Sequence, residues 1–405
     1  MVISHPPQLS TAQGKAGLEF EILLACATTQ PSRQRLAQIH TLVKDGPNWS
    51  ALLKAAVQHR IVPLLNQSLE QACPHLVPEQ IQQFLQRNCQ INTLKNLFLD
   101  NKLKEVLSWF QSEQVPVVAY KGPVLAQLAY PSLSLRQFTD LDLLVRPQDF
   151  EQSRQILKRQ GLNRCMDLGW EMHYVSPDQQ LNVDLHRSLV PEFFGLPENF
   201  IDPTADSLSP EEWLILLAIQ FGKDCCHWKV CLGQLVDIAE LLQSYPDVDY
   251  GWVQKRAKKL GCTRFLNIVL ILVQDLLQYP LPSEIAAKLT HRRKEQQLAQ
   301  WVKARMQEET ERPTVVPDDA GFWYFLVVYN HRFYLQVRER LRDKLYYCAH
   351  WGWKVIRMSL RPNKADRALL KLPQSLDFLY VPIHIVRLIH KHVVKRAIAY
   401  LTGQR

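Results

Sequence analysis

The spacing of apolar residues is helical over the first quarter of the chain. Between about Leu18 and Ser112, apolar positions recur three and four residues apart, as at Leu36 and Ile39. Side chains at this spacing lie on one face of an α-helix. The pattern therefore predicts a helical N-terminal region over residues 1–112.

The pattern changes to short β-branched and apolar runs near Val115. Val115–Tyr120 predicts a buried strand, and Lys121-Gly122-Pro123 predicts the turn that ends it. Further elements follow in the order helix, strand, helix, strand, strand: Val124–Tyr130, Phe138–Val145, Pro147–Gln160, Glu171–Val175 and Gln180–His186. This alternation predicts a compact α/β unit, placed at residues 113–195.

Helical spacing returns beyond Ser209. The stretch Ser209-Pro210-Glu211-Glu212 combines a capping residue, a first-turn proline and early acids, which favours a helix start. We expect a helical domain over residues 205–310, with helices at 210–223, 229–244, 250–260 and 263–278. Residues 311–405 are expected to continue as basic, aromatic-rich helices.

Charge is distributed unevenly along the chain. The 405 residues carry a formal net charge of +9, but residues 321–405 hold 16 Lys and Arg against 4 Asp and Glu. The first 320 residues therefore carry a net charge of −3. A basic C-terminal region on a near-neutral body predicts contact with an anionic partner, with a merely solvated basic face as the alternative.

The cysteines and the N-terminal sequence are used to predict the cellular compartment of the protein. The nine cysteines are scattered and include no CxxC pair, which favours reduced thiols over a disulfide framework. The N-terminus lacks a basic segment followed by an apolar one, and no apolar run reaches the ~18 residues of a membrane span. We therefore expect a cytoplasmic protein without a membrane span.

The motif most indicative of chemistry lies in the strand predicted at Phe138–Val145. Because side chains alternate between the faces of a strand, Asp140 and Asp142 project to one side and their leucine neighbours to the other. The Cα atoms of two aspartates at this spacing are about 7 Å apart, and their carboxylates can converge on a hard cation such as Mg²⁺. The alternative is a strand end whose aspartates face water.

A third acid occurs in a similar setting. In Asn182-Val183-Asp184-Leu185-His186 the alternation places Asp184 and His186 on one face. Three carboxylates on neighbouring strands suit a two-metal site, in which one ion activates an incoming hydroxyl. His186 is a possible accessory residue, with a local packing role as the alternative.

Basic residues near the acids predict a phosphate site. Gly122 follows a buried strand and allows the backbone to approach a phosphate closely, and Lys121 can meet phosphate oxygens as a point charge. Arg136, four residues before Asp140, can make a forked contact with the same group. With the three acids, these residues predict binding of a Mg²⁺-bound triphosphate.

At these residues the chain resembles the polymerase-β-type nucleotidyltransferase superfamily, and more narrowly the uncharacterised nucleotidyltransferase family within it. The matching stretches are KGPVLAQLAYP (121–131), LRQFTDLDLLVRP (135–147), NVDLH (182–186), HWKVCLGQLVDIAELL (227–242), RLRDKL (340–345) and LPQSLDFLY (372–380). The resemblance implies an α+β fold: a small mixed-sheet nucleotidyltransferase core flanked by N-terminal helices and a C-terminal helical domain.

The resemblance also implies roles for the site residues. Asp140 and Asp142 are expected to bind two Mg²⁺ ions, Asp184 to assist the ion that activates the nucleophile, and Gly122 to contact the triphosphate. His227 matches the family as a further possible accessory residue. The chain departs from the superfamily at Pro123, where serine is usual, so a hydroxyl and an N–H donor are lost.

The expected reaction moves a nucleoside monophosphate from an NTP to an unknown acceptor and releases pyrophosphate. The acceptor is a small molecule or glycan, RNA or a protein, and the sequence does not choose among them. Two other readings stay open: a catalytically degenerate member that binds nucleotide or serves as a scaffold, and a glycosyltransferase that uses its DxD for a sugar nucleotide.

Overall fold

The computed structural model describes residues 17–196, 201–202, 207–226, 230–311 and 330–359, with residues 372–373, 376 and 379–383 near the C-terminus. Its mixture of helices with one mixed sheet confirms the predicted α+β class. The N-terminal helices are α1 Leu18–Cys26, α2 Arg33–Lys44, α3 Trp49–Gln58, α4 Val62–Ala72 and α5 Glu79–Ser112.

Five strands and two helices form the core that follows α5. They are β1 Val117–Tyr120, α6 Gly122–Ala129, β2 Leu141–Val145, α7 Phe150–Arg159, β3 Asn163–Asp167, β4 Glu171–Val175 and β5 Asn182–His186. The strand order is β1-β2-β5-β4-β3, in which only the β2–β5 pair is parallel. The sheet is therefore mixed, as the resemblance implied.

The two faces of the sheet differ sharply in polarity. Leu141, Leu143, Val183 and Leu185 lie on one face and are essentially buried against apolar side chains of α5 and α7. The alternating positions of the same strands carry the aspartates and His186 on the opposite face. Period-two alternation thus separates a hydrophobic core from a polar surface within single strands.

One strand was not predicted from the sequence. All five residues of β3 are exposed, and β3 pairs only with β4 at the edge of the sheet, with a register irregularity between Arg164 and Met166. Its sequence, NRCMD, offers neither an apolar face nor β-branched residues. Pairing with β4 therefore determines this strand, and local propensity does not.

The helices beyond the sheet pack closely on one another. They are α8 Pro210–Cys226, α9 Leu232–Ser244, α10 Tyr250–Leu260, α11 Thr263–Leu277, α12 Ser283–Thr290, α13 Arg293–Glu311 and α14 His331–Val337. A Cβ atom placed on Gly222 of α8 would lie 1.9 Å from the Phe265 ring of α11. Only glycine at this position permits the observed approach of the two helices.

His59 joins the N-terminal helices to the later ones. Its buried imidazole accepts a hydrogen bond from Leu232 N at 3.2 Å through Nδ1, and its Nε2 lies 2.8 Å from Thr310 Oγ1. Its carbonyl oxygen accepts a hydrogen bond from Gly233 N at 2.9 Å. The end of α3, the start of α9 and α13 are therefore linked at one residue.

Where described, residues 17–192 and 196–340 belong to one compact unit, and residues 193–195 with those beyond 340 to a second. In the second unit, helix α15 (Leu341–Ser359) packs Tyr347, His350 and Trp351 against Phe193 at ring-centroid distances of 5.5–5.8 Å. No helix in the described ranges has the length and apolar character needed to cross a membrane. The domain boundaries and the role of the basic C-terminal region stay predictions.

The burial of His59 predicts a pH dependence of stability. Burial lowers its pKa from 6.5 to about 4, with a smaller opposing influence of Glu309. As pH falls from 6.5 towards 4, the unfolded chain binds a proton that the folded chain does not, so folding stability decreases. We expect His59 to contribute a loss of about 3 kcal/mol over this window, measured by urea unfolding.

The matched control is the exposed His75. The His75→Gln variant is expected to keep the wild-type pH profile between pH 6.5 and 4, whereas His59→Gln loses the steep part of it. If the free energy of unfolding of wild type and of His59→Gln depended on pH in the same way, His59 would not be the cause of the predicted loss of stability.

Candidate metal and nucleotide site

The parallel pairing of β2 with β5 brings two of the predicted acids together. Asp142 and Asp184 are direct partners in the register of these strands. Neighbouring strands lie about 4.8 Å apart, and partners in register project to the same face. Both carboxylates therefore stand side by side on the polar face, with side chains only 9% and 15% exposed.

His186 completes a possible ligand group. It lies two residues beyond Asp184 on the same face, and its Nε2 is 3.2 Å from Asp142 Oδ1. Ligand atoms of Asp142, Asp184 and His186 all lie within 4.8 Å of one another. Among the described residues this is the one group of three or more His, Cys, Asp or Glu side chains with such spacing.

Asp140 lies at the edge of this group. It immediately precedes β2 and is half-buried. Burial, followed by the charges of Asp142 and Asp184, raises the pKa of its carboxyl to about 6. Asp140 does not belong to the three-residue ligand group, and its role as a metal ligand stays a prediction.

Nearby positive charges compensate the negative charge of the carboxylates. Burial alone would raise the pKa of Asp142, but Lys121 and the hydrogen bond from His186 outweigh it and hold that pKa below its usual value. Lys121 Nζ lies 3.7 Å from Asp142 Oδ1. A buried carboxylate without such partners would be strongly disfavoured.

The turn after β1 holds Lys121 in place. Lys121 and Gly122 both adopt positive φ angles, 57° and 40°. A Cβ atom on Gly122 would lie 3.2 Å from the carbonyl oxygen of Asp140, so glycine lets the turn approach the backbone that carries the acids. Pro123 stands in the first turn of α6, where its missing N–H costs no intrahelical bond.

The structure places Arg136 in a buried ion pair. Its Nε and Nη2 atoms donate to the two carboxylate oxygens of Asp237 at 2.7 and 2.9 Å, and Nη1 donates to Gly122 O at 3.0 Å. The Tyr130 hydroxyl donates to the same carboxylate at 2.7 Å. Arg136 thus links the glycine turn to α9, and its contact with phosphate stays a prediction.

Two residues that sequence reasoning did not assign to the site lie on β4. His173 Nδ1 is 2.6 Å from Asp184 Oδ1, and its Nε2 is 3.3 Å from Glu171 Oε1. The other Glu171 oxygen lies 3.1 Å from His186 Nδ1. The side chains therefore form a continuous chain of polar contacts, in the order Asp142, His186, Glu171, His173 and Asp184.

The sequence carries part of the signal for this chain of contacts. In the predicted strand Glu171–Val175, alternation puts Glu171 and His173 on one face, which the sequence analysis did not use. The neighbour of that face was unknown without the strand order. Lys223 of α8 was also missed; burial lowers the pKa of its amine, and its charge acts on Asp142 and Glu171. His227 lies outside the described residues.

Comparison with known proteins identifies the family. The profile of a family described as uncharacterised nucleotidyltransferase matches residues 45–278, more than half of the chain. The chain belongs to this family, as the sequence motifs predicted. Neither the curated proteins nor the solved structures contain a match to the chain.

The donor set on the polar face fits a divalent cation. Carboxylate oxygens suit Mg²⁺ and Mn²⁺, and the imidazole nitrogen of His186 is more typical of Mn²⁺ and other transition ions. Tyr120, the register partner of Asp142 on β1, has a buried hydroxyl without a hydrogen-bond partner among the described residues. An ion-bound water on this face would give that hydroxyl a partner. The number of ions stays a prediction.

We expect that removing one partner of the buried Arg136–Asp237 ion pair strongly lowers the stability of the protein. Asp237→Ala leaves a buried guanidinium without its anion, and we expect the free energy of unfolding to fall by about 3–5 kcal/mol in urea titrations. The double variant Arg136→Met/Asp237→Ala is expected to lose less than the sum of the single variants, because the unpaired charge is removed.

The exposed pair Lys288–Glu284 provides the matched control. Its atoms are only 2.6 Å apart, but both side chains are largely exposed. Glu284→Ala is expected to leave the free energy of unfolding nearly unchanged, because solvent screens an exposed ion pair. Equal effects of Asp237→Ala and Glu284→Ala would show that burial does not decide the energetics of the pair.

Proposed function

We propose that the chain is a metal-dependent nucleotidyltransferase that moves a nucleoside monophosphate from an NTP to an acceptor. The acceptor oxygen forms a bond to the α-phosphorus and loses its proton. The bond from the α-phosphorus to the oxygen bridging to the β-phosphate breaks, and pyrophosphate leaves with the bonding electrons. Membership of the nucleotidyltransferase family supports the reaction type.

The observation that carries the proposal is the register pairing of Asp142 with Asp184 on a polar sheet face. Like charges placed this close are costly unless a cation compensates them. Asp140 adds a third carboxylate, whose pKa is raised first by burial and then by the charges of the other two. We assign Asp140, Asp142 and Asp184 as the metal-binding and catalytic acids, with His186 as an accessory ligand.

The protein residues have separate tasks in this proposal. A bound Mg²⁺ would neutralise phosphate charge and polarise the reacting phosphoryl group. Lys121 adds a positive charge beside Asp142, where it can meet phosphate oxygens. Gly122 keeps the turn close to the strand end, and the carboxylate of Glu171 contacts both His186 and His173.

A second candidate is a nucleotide-binding member without catalytic activity. Pro123 favours it, because the turn lacks the hydroxyl and N–H that serine supplies in the superfamily. A glycosyltransferase is disfavoured by the family and leaves Asp184 without a role. The acceptor, the preferred NTP and an anionic partner of the basic C-terminal region stay open to experiment.

Binding measurements test the metal and nucleotide site. We expect Mn²⁺ to bind the wild-type protein, with affinity reduced at least about tenfold in Asp142→Asn and Asp184→Asn, because each variant removes an anionic ligand. Electron paramagnetic resonance measures free Mn²⁺, and calorimetry measures binding of each of the four NTPs with Mg²⁺. UDP-sugars serve as the comparison ligands for the glycosyltransferase alternative.

The control variant is Asp247→Asn, which neutralises an exposed aspartate in the loop between α9 and α10. It is expected to bind Mn²⁺ and NTPs as the wild type does. Metal-dependent NTP binding without pyrophosphate release, across a panel of acceptors, would favour the non-catalytic candidate. A folded wild-type protein that binds neither metal nor NTP would refute the proposed function.

A further inference from the structure

Arg60 occupies a backbone position that usually belongs to glycine. It is the second residue after α3, with φ of 57°. Arg60 N donates to Val57 O at 3.1 Å and Ile61 N donates to Ala56 O at 3.0 Å, the paired bonds of a Schellman motif. Glycine adopts this left-handed conformation without the strain of a side chain. An arginine here is therefore disfavoured locally.

The backbone around Arg60 is held from both sides. His59 O accepts a hydrogen bond from Gly233 N at 2.9 Å, and a Cβ atom on Gly233 would lie 3.2 Å from Arg60 O. On the other side, Val62 N donates to Gln137 Oε1 at 2.9 Å, which ties the turn to the segment before β2. The turn is thus fixed relative to the carboxylate face.

The Arg60 side chain lines a pocket beside the metal and nucleotide site. The pocket has a cavity volume of about 90 Å³, and Lys121 lines it as well. Because Lys121 Nζ lies 3.7 Å from Asp142, the pocket adjoins the proposed metal ligands. The electrostatic effect of Cys231 is the largest influence on the pKa of Arg60 and raises it. Burial acts in the opposite direction, and the charges of Asp140 and Asp224 add to the increase.

The charges in this pocket favour an anionic ligand. Arg136 also lines it but is neutralised by Asp237, and Asp224 accepts a hydrogen bond from Gln234 Nε2 at 2.6 Å. The Arg60 guanidinium makes no hydrogen bond or salt bridge to any residue in the described part of the chain, and the residue is exposed. A guanidinium that is exposed, fixed at its backbone and without a short-range partner is suited to a forked contact with phosphate.

A second observation indicates a polar ligand in the same pocket. Gln220 lines it, is 2% exposed, and donates through Nε2 to Leu189 O at 2.6 Å. Its side-chain oxygen is buried and has no hydrogen-bond partner among the described residues. A buried acceptor of this kind is costly unless it meets a donor, such as a ribose hydroxyl.

We infer that Arg60 binds the β- and γ-phosphates of the nucleotide in this pocket, supplying the forked contact from the N-terminal helices. The inference rests on the proposed function and names the residue that holds the leaving pyrophosphate group. Arg136 instead holds the glycine turn. A locally disfavoured arginine is retained where its side chain contacts substrate, as is common for strained positions at functional sites.

The test separates phosphate binding from stability. Inorganic tripolyphosphate with Mg²⁺ is the base-independent probe, and calorimetry gives its Kd. Arg60→Gly is expected to weaken binding about 10- to 100-fold, the range for lost hydrogen bonds to a charged group, and to leave the unfolding midpoint unchanged or higher. Arg60→Lys, which keeps the charge and loses the fork, is expected to bind with intermediate affinity.

Gln114→Gly is the matched control. Gln114 follows α5 with φ of 56° in the same motif, with Val115 N donating to Phe110 O at 3.0 Å, and it does not line the pocket. It is expected to shift the unfolding midpoint as Arg60→Gly does, with tripolyphosphate and Mn²⁺ binding unchanged.

The outcomes distinguish a failure of this inference from a failure of the proposed function. If the wild type binds Mn²⁺ and Mg²⁺-tripolyphosphate and Arg60→Gly binds both equally well, the role of Arg60 is refuted and the proposed function stands. If the wild type binds neither probe, both are refuted. Loss of Mn²⁺ binding in Arg60→Gly would also count against the inference, because Arg60 is assigned to phosphate and not to the metal.

Discussion

The parallel pairing of β2 with β5 imposes the constraint on which the site depends. Two aspartates at matching register positions stand on one face, about 5 Å apart, where their mutual repulsion and partial burial oppose folding. Compensation comes from three places: Lys121 in the turn after β1, His186 on β5 and His173 on β4. The site is therefore complete only when the sheet and the glycine turn are both formed.

The helices around the sheet contribute to the site through two arginines that differ in surroundings. Arg136 is buried with Asp237 and donates to the glycine turn, so its charge is used within the protein. Arg60 remains exposed on a fixed turn and retains its charge for a ligand. The difference follows from desolvation, because a buried guanidinium requires an anion whereas an exposed one does not.

Much of the fold could be predicted from residue patterns. Short apolar and β-branched runs identified β1, β2, β4 and β5, and helical spacing identified α8, α9, α10 and α11 within a few residues of their ends. The edge strand β3 was not predicted, because its residues are exposed and polar, and only pairing with β4 makes it a strand. Local patterns report burial, so an unburied strand leaves little signal.

The site divides in the same way between sequence and tertiary structure. The sequence alone determined that Asp184 and His186 share a strand face, because alternation is a property of the extended backbone. For Asp140, which precedes β2, the shared face with Asp142 stays a prediction. Only the tertiary structure decided that Asp142 faces Asp184, that Glu171 bridges two histidines and that Asp237, 101 residues away, engages Arg136. These contacts depend on strand order and on the packing of distant helices, which no local pattern encodes.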